Sequence, residues 1–359
     1  MNGKAHDVNF VIPALSTRPF RRFSNRRSAV TCALHRPSEM RQIAGISEIA
    51  RNYDIILLDQ FGVVHDGRTA YPGALNAINK LHENGAKIAI LSNSSKRSNI
   101  AHNKMSKLGV YADAIHKVVT SGELTVGYVK NFMKCNPQAR VLHFNWTEAR
   151  GTVQLSDHDV TNVVPVSYTN DTGLNVTSKH IDFILAHGTD GITLHDGNVK
   201  ALPLEVLRNL CRKVAKENPQ VPFICANPDF VTVDGGTLRT MPGTLARDFE
   251  EHGGTVVKMG KPGSFAYDAA LNACGEGRML AIGDSIAHDI LGAVQRNIDC
   301  LYVAGGIHAE LFQIDGALGF KGERTQFACN EEVLTRIVQE EAPELGDRRP
   351  TYVCDFLRW

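Results

Sequence analysis

Two aspartates, Asp59 and Asp284, each follow a short run of aliphatic residues and precede a turn. Ser92 and Asn93 follow a third such run, and Lys261 lies between a glycine and a proline. A carboxylate can attack phosphorus, and carboxylate oxygens are the hard ligands that Mg²⁺ prefers. A hydroxyl and an ammonium group can neutralise phosphoryl oxygens. These residue types together are the ones that transfer of a phosphoryl group to a carboxylate needs.

The aliphatic runs themselves predict the elements that position these side chains. Residues 55–58, 87–91 and 279–282 are typical of strands that are buried on both faces of a parallel sheet. Residues 72–84 between the first two runs carry apolar side chains at helical spacing. Alternating strands and helices predict a doubly wound α/β sheet, whose strands end at one common edge. We therefore expect Asp59, Ser92, Lys261 and Asp284 to meet at that edge.

The pattern becomes more variable between residues 121 and 235, which predicts an inserted domain. Residues 141–144, 181–185 and 221–225 read as strands, and residues 204–214 read as a helix. The insertion ends in Ala226-Asn227-Pro228-Asp229, a turn sequence with a polar tip. The predicted core domain consists of residues 44–120 and 236–345, including a strand at 256–259 that leads to Lys261. Residues 346–359 are predicted to be a C-terminal tail.

Composition excludes several classes of protein. The 359 residues are 43% hydrophobic and 21% charged, which supports a sizeable core. Lys and Arg number 39 against 38 Asp and Glu, so no charge excess favours nucleic acid or an anionic membrane. No apolar run approaches the roughly 20 residues of a membrane-spanning helix. The 8 cysteines include no C-x-x-C pair, which argues against a structural zinc site or a disulfide framework.

Residues 1–41 differ from the rest of the chain. They set arginines among Ser, Thr and Pro with Asp7 and Glu39 as acids, and the arginines are Arg18, Arg21, Arg22, Arg26, Arg27, Arg36 and Arg41. This composition is typical of an organellar transit peptide. Val30-Thr31-Cys32-Ala33 resembles a plastid processing site, which favours the plastid over the mitochondrion. The alternative is a disordered basic tail on a cytoplasmic protein.

The set of motifs resembles the haloacid dehalogenase (HAD) superfamily of hydrolases. Asp59-Gln60-Phe61-Gly62-Val63 is similar to its first motif, Leu91-Ser92-Asn93 to its second and Gly260-Lys261-Pro262 to its third. Gly283-Asp284, with Asp289 five residues further on, is similar to the fourth. The position of the insertion, its closing turn at residues 226–229 and the last strand with Gly305-Gly306-Ile307-His308 resemble subclass IIA.

The resemblance implies a Rossmann-like core with an inserted, smaller α/β cap domain and Mg²⁺-dependent hydrolysis of a small phosphorylated metabolite. It implies Asp59 as nucleophile, forming an aspartyl phosphate, with Lys261 as the second catalytic residue. Ser92, Asn93, Lys261 and Asn227 are the expected phosphate ligands. Asp59, Asp284 and the backbone carbonyl of Phe61 are the expected Mg²⁺ ligands. A homodimer formed through the cap domain is compatible with the same resemblance.

Phe61 departs from the pattern of the family's phosphatases. They carry a second aspartate two residues after the nucleophile, which acts as general acid and base, and a phenyl ring can do neither. General acid–base assistance is typically worth about 10²–10⁴-fold in rate. The chain resembles the subset of subclass IIA chains that carry an aromatic residue at this position. His65 and Asp66 are candidates to replace the missing acid, although each is equally compatible with a plain loop residue.

Three functions therefore remain open at this stage. The leading one is a Mg²⁺-dependent phosphatase that acts on a small phosphorylated metabolite. The second is a binding or regulatory protein that keeps the phosphate site and has lost turnover, which Phe61 favours. The third is a carbon–halogen hydrolase with Asp59 as nucleophile, and the retained Asp284 and Lys261 argue against it.

Overall fold

A computed structural model describes residues 40–111, 113–169, 173–176, 178–234, 237–316, 321–322 and 327–359. Its helices are α1 (Pro72–Glu83), α2 (Ser98–Lys107), α3 (Ser121–Cys135), α4 (Leu204–Glu217), α5 (Pro242–Glu251), α6 (Ser264–Cys274), α7 (Leu291–Gln295) and α8 (Glu331–Glu341). A single π-helical turn, Ile286–Ile290, leads directly into α7. No helix of the described residues is long and apolar enough to cross a membrane.

In the part of the chain that the structure describes, the strands form two main sheets and two hairpins. The first part of the chain gives β1 (Arg41–Gln42), β2 (Ile55–Leu58), β3 (Lys87–Ser92), β4 (Ile115–Thr120), β5 (Val141–Asn145), β6 (Val166–Thr169), β7 (Gly173–Val176), β8 (Phe183–Ala186) and β9 (Gly191–Thr193). The remaining strands are β10 (Val199–Ala201), β11 (Pro222–Cys225), β12 (Val231–Asp234), β13 (Thr237–Thr240), β14 (Thr255–Lys258), β15 (Met279–Gly283), β16 (Asp299–Val303) and β17 (Tyr352–Cys354).

The core sheet has seven strands in the order β1-β17-β16-β15-β2-β3-β4. All of its pairings are parallel, and β2 lies between β15 and β3. Ile56 and Leu58 pack in the apolar cluster on one face of the sheet, and Ile55 and Leu57 pack in the cluster on the other. This alternation across two covered faces explains why β2 is apolar at every position. The predicted α/β class with a parallel sheet is confirmed.

The second sheet has six strands in the order β10-β9-β5-β8-β11-β14. Strands β5, β8, β11 and β14 are parallel, whereas β9 and β10 add an antiparallel edge. Helices α4 and α5 cover one face of this sheet through Leu207, Leu210 and Phe249. Helix α3 covers the other face with Val129 and Met133. This sheet and its helices form the inserted domain.

Strand β14 departs from the expectation that residues 236–345 all belong to the core. It pairs with β11, so the inserted sheet extends to Lys258 and past the predicted boundary at residue 235. Val256 and Val257 pack in the clusters on the two faces of the inserted sheet. The α5 crossover between β11 and β14 completes a βαβ unit there. An aliphatic run does not by itself say which of two sheets it joins.

The predicted C-terminal tail, residues 346–359, is instead part of the core. Strand β17 lies between β16 and β1, and Val353, Phe356 and Leu357 are buried. The run of apolar residues is too short, and too close to charged residues, to show a strand pattern in the sequence. The predicted transit peptide falls on residues 1–41, of which 1–39 lie outside the described part of the chain.

Candidate active site

Polar side chains converge at the carboxyl edge of the core sheet, where three neighbouring strands end. Asp59 follows β2, Asp284 follows β15, and Ser92 is the last residue of β3. Lys261 reaches the same place from the loop after β14, a strand of the inserted sheet. The sequence predicted that Lys261 follows a strand of the core sheet. It follows a strand of the inserted sheet instead. The inserted domain and the core both supply the site.

The Lys261 ammonium lies between two carboxylates. Its Nζ atom is 2.5 Å from Asp59 Oδ1 and 2.7 Å from Asp289 Oδ1, and the lysine is 3% exposed. Burial lowers the pKa of Lys261, but Asp289 and Asp59 together outweigh burial and hold the pKa above its usual value. The ammonium is thus a fixed positive charge in direct contact with the predicted nucleophile.

Asp284 is held against the turn that follows Asp59. Its Oδ2 atom accepts a hydrogen bond from the Ile307 backbone N–H at 2.8 Å. A Cβ atom on Gly62 would lie 1.9 Å from the same oxygen, and Gly62 has a φ of 77°. Only glycine combines this left-handed backbone with so close an approach. The turn after β2 and the turn after β15 are in this way locked together.

Asp59, Asp284 and Asp289 form a buried cluster that fits a divalent cation. One carboxylate oxygen of each lies within 4.8 Å of the others. With Lys261 beside them, three negative charges and one positive charge leave two negative charges without compensation. A cation of charge +2 would balance them, and carboxylate oxygens are the donors that Mg²⁺ and Ca²⁺ prefer. The residues present therefore fit the predicted Mg²⁺.

The same excess of negative charge acts on the carboxyl groups themselves. Burial raises the pKa of Asp59 to about 7, with Lys261 opposing this change and Asp289 adding to it. Burial, together with Asp59 and Asp289, raises the pKa of Asp284 well above its usual value. A bound cation would lower both pKa values, because it favours the ionised form of each carboxyl group.

Phe61, two residues after Asp59, is half-buried. Its ring meets the His65 ring edge to face at 6.1 Å between centroids. No hydrogen bond from the described residues reaches the Phe61 carbonyl oxygen, so that oxygen remains available as the predicted cation ligand.

The two candidate replacements for the missing acid both accept hydrogen bonds from backbone groups of their own loop. The Nδ1 atom of His65 accepts the Gly67 N–H at 3.0 Å, which places the imidazole proton on Nε2. Burial, followed by the charge of Lys104, lowers the pKa of His65 to about 4. Asp66 is exposed and accepts the N–H groups of Arg68 and Thr69. These bonds stabilise the loop, which agrees with the alternative that His65 and Asp66 are plain loop residues.

Asn93 connects the lysine loop to the inserted domain. Its Oδ1 atom accepts the Lys261 N–H at 2.7 Å. Its Nδ2 group donates to Asp229 Oδ1 at 2.8 Å and to the Lys261 carbonyl at 3.1 Å. The Asn93 side chain is buried, and both its carbonyl oxygen and its amide nitrogen are hydrogen-bonded, so it positions Lys261. The predicted phosphate contact of Asn93 would require one of these bonds to open.

The other two predicted phosphate ligands differ in accessibility. Ser92 is half-buried, and its Oγ atom accepts the Ser94 N–H at 3.3 Å. Its hydroxyl proton remains free to donate to an anion. Asn227 is buried, and its Oδ1 atom accepts the Asp229 N–H at 2.9 Å. This bond shapes the turn that presents Asp229 to Asn93, so Asn227 lies behind Asp229.

Three groups of the site were left out of the predicted set. Asp289 was recognised as part of the fourth motif, and its spacing one helical turn after Asp284 was a usable signal. Asp229 binds Asn93 and approaches His288 Nε2 to 3.8 Å. The Ile307 N–H is a backbone group of the loop after β16, and no side-chain pattern could indicate it.

A parallel α/β sheet with a buried carboxylate–lysine pair and a cation-binding carboxylate cluster at its carboxyl edge defines a class of hydrolase site. The family model of the haloacid dehalogenase-like hydrolases matches residues 56–157, and a second model, of HAD-hydrolase-like proteins, matches residues 258–315. These two stretches of the chain are therefore haloacid dehalogenase-like hydrolase domains. No protein with a curated description matches it.

Solved structures share the fold over most of the chain. A haloacid dehalogenase-like hydrolase from Brucella suis 1330 is 27% identical, with a TM-score of 0.59 over 87% of this chain and 98% of its own. A glycerol phosphate phosphatase from Mycobacterium tuberculosis, in complex with calcium, is 21% identical, with a TM-score of 0.51 over 86% and 75%. The p-nitrophenyl phosphatase from Archaeoglobus fulgidus is 17% identical, with a TM-score of 0.53 over 86% and 97%.

Proposed function

We propose that the protein is a Mg²⁺-dependent phosphatase that hydrolyses the monoester of a small phosphorylated metabolite. The observation that carries this proposal is the contact of Lys261 Nζ with Asp59 at 2.5 Å beside the carboxylate cluster. It supports the proposal because it brings a carboxylate, an ammonium group and a carboxylate cluster together at one buried edge of the sheet. Two of the proteins with the same fold are phosphatases by name.

The proposed reaction has two displacements at phosphorus. An oxygen of Asp59 forms a bond to phosphorus while the bond to the leaving oxygen breaks, which gives an aspartyl phosphate. The leaving oxygen takes a proton from water, because Phe61 has none to give. A water oxygen then attacks phosphorus, the bond to Asp59 breaks, and inorganic phosphate and the free carboxylate result. Lys261 and the Ser92 hydroxyl neutralise the phosphoryl oxygens throughout.

Asp59, Asp284 and the Phe61 carbonyl would hold Mg²⁺, and Asp289 lies within the same cluster. When bound, Mg²⁺ would lower the negative charge that the nucleophile and the phosphoryl group present to each other. Asp289 keeps Lys261 directed at Asp59 through the 2.7 Å contact.

Phosphate release from a panel of phosphomonoesters, with and without Mg²⁺, tests the proposal. We expect turnover with Mg²⁺, loss of turnover with a chelator and recovery when Mg²⁺ is restored. Asp59→Asn keeps the size of the side chain and removes its nucleophilic oxygen, so it should abolish release while the melting temperature stays close to that of the wild type. A turnover equal to wild type in Asp59→Asn would exclude Asp59 as the nucleophile.

Phe61 is the specific observation behind a second candidate, a protein that binds phosphorylated metabolites without turnover. A rapid-quench experiment separates it from the first. A single burst of phosphoryl transfer to Asp59, without further phosphate release, indicates the binding protein. Steady release over many turnovers indicates the phosphatase. The buried carboxylate cluster argues against the carbon–halogen hydrolase, because that reaction has no use for the cation site.

A further inference from the structure

The loop after β16, residues 304–308, supports the carboxylate of Asp284. The Ile307 N–H donates to Asp284 Oδ2 at 2.8 Å. A Cβ atom on Gly306 would lie 2.2 Å from the same oxygen. The loop backbone therefore lies against the carboxylate and directs one of its oxygens. Any shift of this loop would move a predicted cation ligand.

The position of the Ile307 N–H is not set by the Ile307 side chain, which is 54% exposed. It is set by the residues on either side. The Gly305 N–H donates to the Asp355 carbonyl at 2.7 Å and ties the beginning of the loop to β17. His308 anchors its end, since this side chain is 5% exposed and both of its ring nitrogens have partners.

His308 joins two elements of the core. Its Nδ1 atom lies 2.8 Å from the hydroxyl of Tyr302 on β16, and its Nε2 atom lies 2.8 Å from Glu341 Oε1 at the end of α8. The Glu341 oxygen can only accept, which assigns the ring proton to Nε2 and leaves Nδ1 to accept the Tyr302 hydroxyl proton. The Nε2–H group then donates to Glu341. One ring nitrogen that accepts and one that donates satisfy both partners.

We propose that His308 is a positioning residue of the cation site: held between Tyr302 and Glu341, it fixes the Ile307 N–H that directs Asp284 toward Asp59. This inference rests on the cation site of the proposed function. His308 itself contacts neither the cation nor substrate. Groups that orient metal ligands in this way typically change metal affinity by roughly 10–100-fold when they are removed.

Direct metal binding tests the inference without any turnover. Free Mn²⁺ has a sharp electron paramagnetic resonance signal, so titration of the full chain with Mn²⁺ gives a dissociation constant, and Mg²⁺ competition gives a second. We expect His308→Ala to raise the Mn²⁺ dissociation constant by roughly 10–100-fold. His308→Asn places an oxygen near the position of Nδ1, keeps the Tyr302 bond and should recover part of the affinity.

Tyr302→Phe removes only a hydroxyl, so it tests the inference even if His308→Ala fails to fold. Its matched control is Tyr53→Phe, which removes another buried hydroxyl of the core, bonded to Asp299 and Tyr352. We expect both variants to lose similar stability and only Tyr302→Phe to bind Mn²⁺ more weakly. Equal Mn²⁺ affinity in folded Tyr302→Phe, Tyr53→Phe and wild type would overturn the inference.

The two proposals fail in different ways. Wild-type protein that binds neither Mn²⁺ nor Mg²⁺ would overturn both, because no cation site would exist. Weaker Mn²⁺ binding in Tyr302→Phe and His308→Ala, in a protein that hydrolyses no phosphomonoester, would support the role of His308 and reject the phosphatase.

Discussion

Phe61 is the residue at which this site differs from a phosphatase that supplies its own proton. The remaining parts of the site are in place, since Asp59 and Lys261 are in contact and Asp284 lies in the same cluster. Burial lowers the pKa of the loop residue His65 to about 4, so its imidazole is uncharged near pH 7 and is a poor general acid. A proton for the leaving group must then come from water. Esters with a poor leaving group should be turned over slowly.

Phe61→Asp should therefore raise the rate on esters with poor leaving groups by roughly 10²-fold or more, the range that a positioned acid gives. The gain on p-nitrophenyl phosphate should be smaller, because nitrophenolate leaves without a proton. Phe61→Asn is the matched control: it has the size and polarity of the aspartate variant but transfers no proton. Steady-state rates on an alkyl and an aryl phosphate measure the difference.

The stability of both Phe61 variants must be measured before their rates are compared. The aspartate would occupy a niche that an aromatic ring now fills, and burial of a charged group is costly. Melting temperatures of Phe61→Asp and Phe61→Asn show whether both fold. If folded Phe61→Asp is no faster than Phe61→Asn on the alkyl phosphate, the missing acid is not what limits the reaction.

At the scale of elements, the turn after β2 and the turn after β15 act as one unit. Gly62 has a left-handed backbone, and its Cα lies against the Asp284 carboxylate. The strands that carry these turns pair with each other along their whole length, with Leu58 opposite Ile282. The site is thus positioned by the register of two parallel strands and by one glycine.

Gly62→Ala should lose activity and cation affinity, because its Cβ would lie 1.9 Å from Asp284 Oδ2. A left-handed alanine also costs about 1–2 kcal/mol of stability wherever it stands. Gly85→Ala isolates that general cost, since Gly85 has a φ of 86° and open space around its Cα. Urea unfolding should show a loss in both variants, whereas phosphate release should fall only in Gly62→Ala. Full activity in Gly62→Ala would show that Asp284 is free to move.

The sequence predicted the core strands and the residues at their ends because a two-face-buried strand has a strong pattern. The runs before Asp59 and Asp284 are apolar at nearly every position, and they lie side by side in the sheet. The predicted inserted domain lacks β14, because the apolar pattern of this strand is compatible with either sheet. The Asn93–Asp229 bond could not be predicted, since it depends on how the two domains meet.

At the scale of the whole molecule, residues 1–41 are proposed to direct the protein to a plastid, with the mitochondrion as the alternative. The segment ends at Arg41, the first residue of β1, so cleavage after residue 39 would remove none of the described elements. Residues 1–41 fused to a fluorescent protein should accumulate in the organelle. Replacement of the arginines by glutamine in the same fusion should abolish import. A diffuse cytoplasmic signal from the unchanged fusion would instead support a basic tail.

The inserted domain contains a cluster of buried histidines, which affects how the stability of the molecule depends on pH. His143 on β5 bonds to His187 after β8 at 3.0 Å and to Thr193 on β9 at 2.9 Å. The His158 ring meets the His187 ring at 4.9 Å between centroids. Burial lowers the pKa of each of these histidines, to about 3 for His143, and the neighbouring rings of the cluster lower the pKa values of His143 and His187 further.

The inserted domain should accordingly lose stability as the pH falls below about 6.5, the pKa of histidine in an unfolded chain. There the unfolded state takes up protons that the folded cluster refuses, so the free energy of unfolding decreases toward pH 3. Each histidine that stays unprotonated in the folded state contributes at most about 1.4 kcal/mol per pH unit.

Urea unfolding measured by tryptophan fluorescence tests this expectation. Trp359→Phe leaves Trp146, in the inserted domain, as the sole tryptophan and hence as the fluorescent reporter. Replacement of His143 by Gln should weaken the dependence of the unfolding free energy on pH, whereas replacement of the exposed His116 by Gln should not. If the urea midpoint stays constant between about pH 7 and pH 5, the cluster takes up protons while folded, and the expectation is wrong.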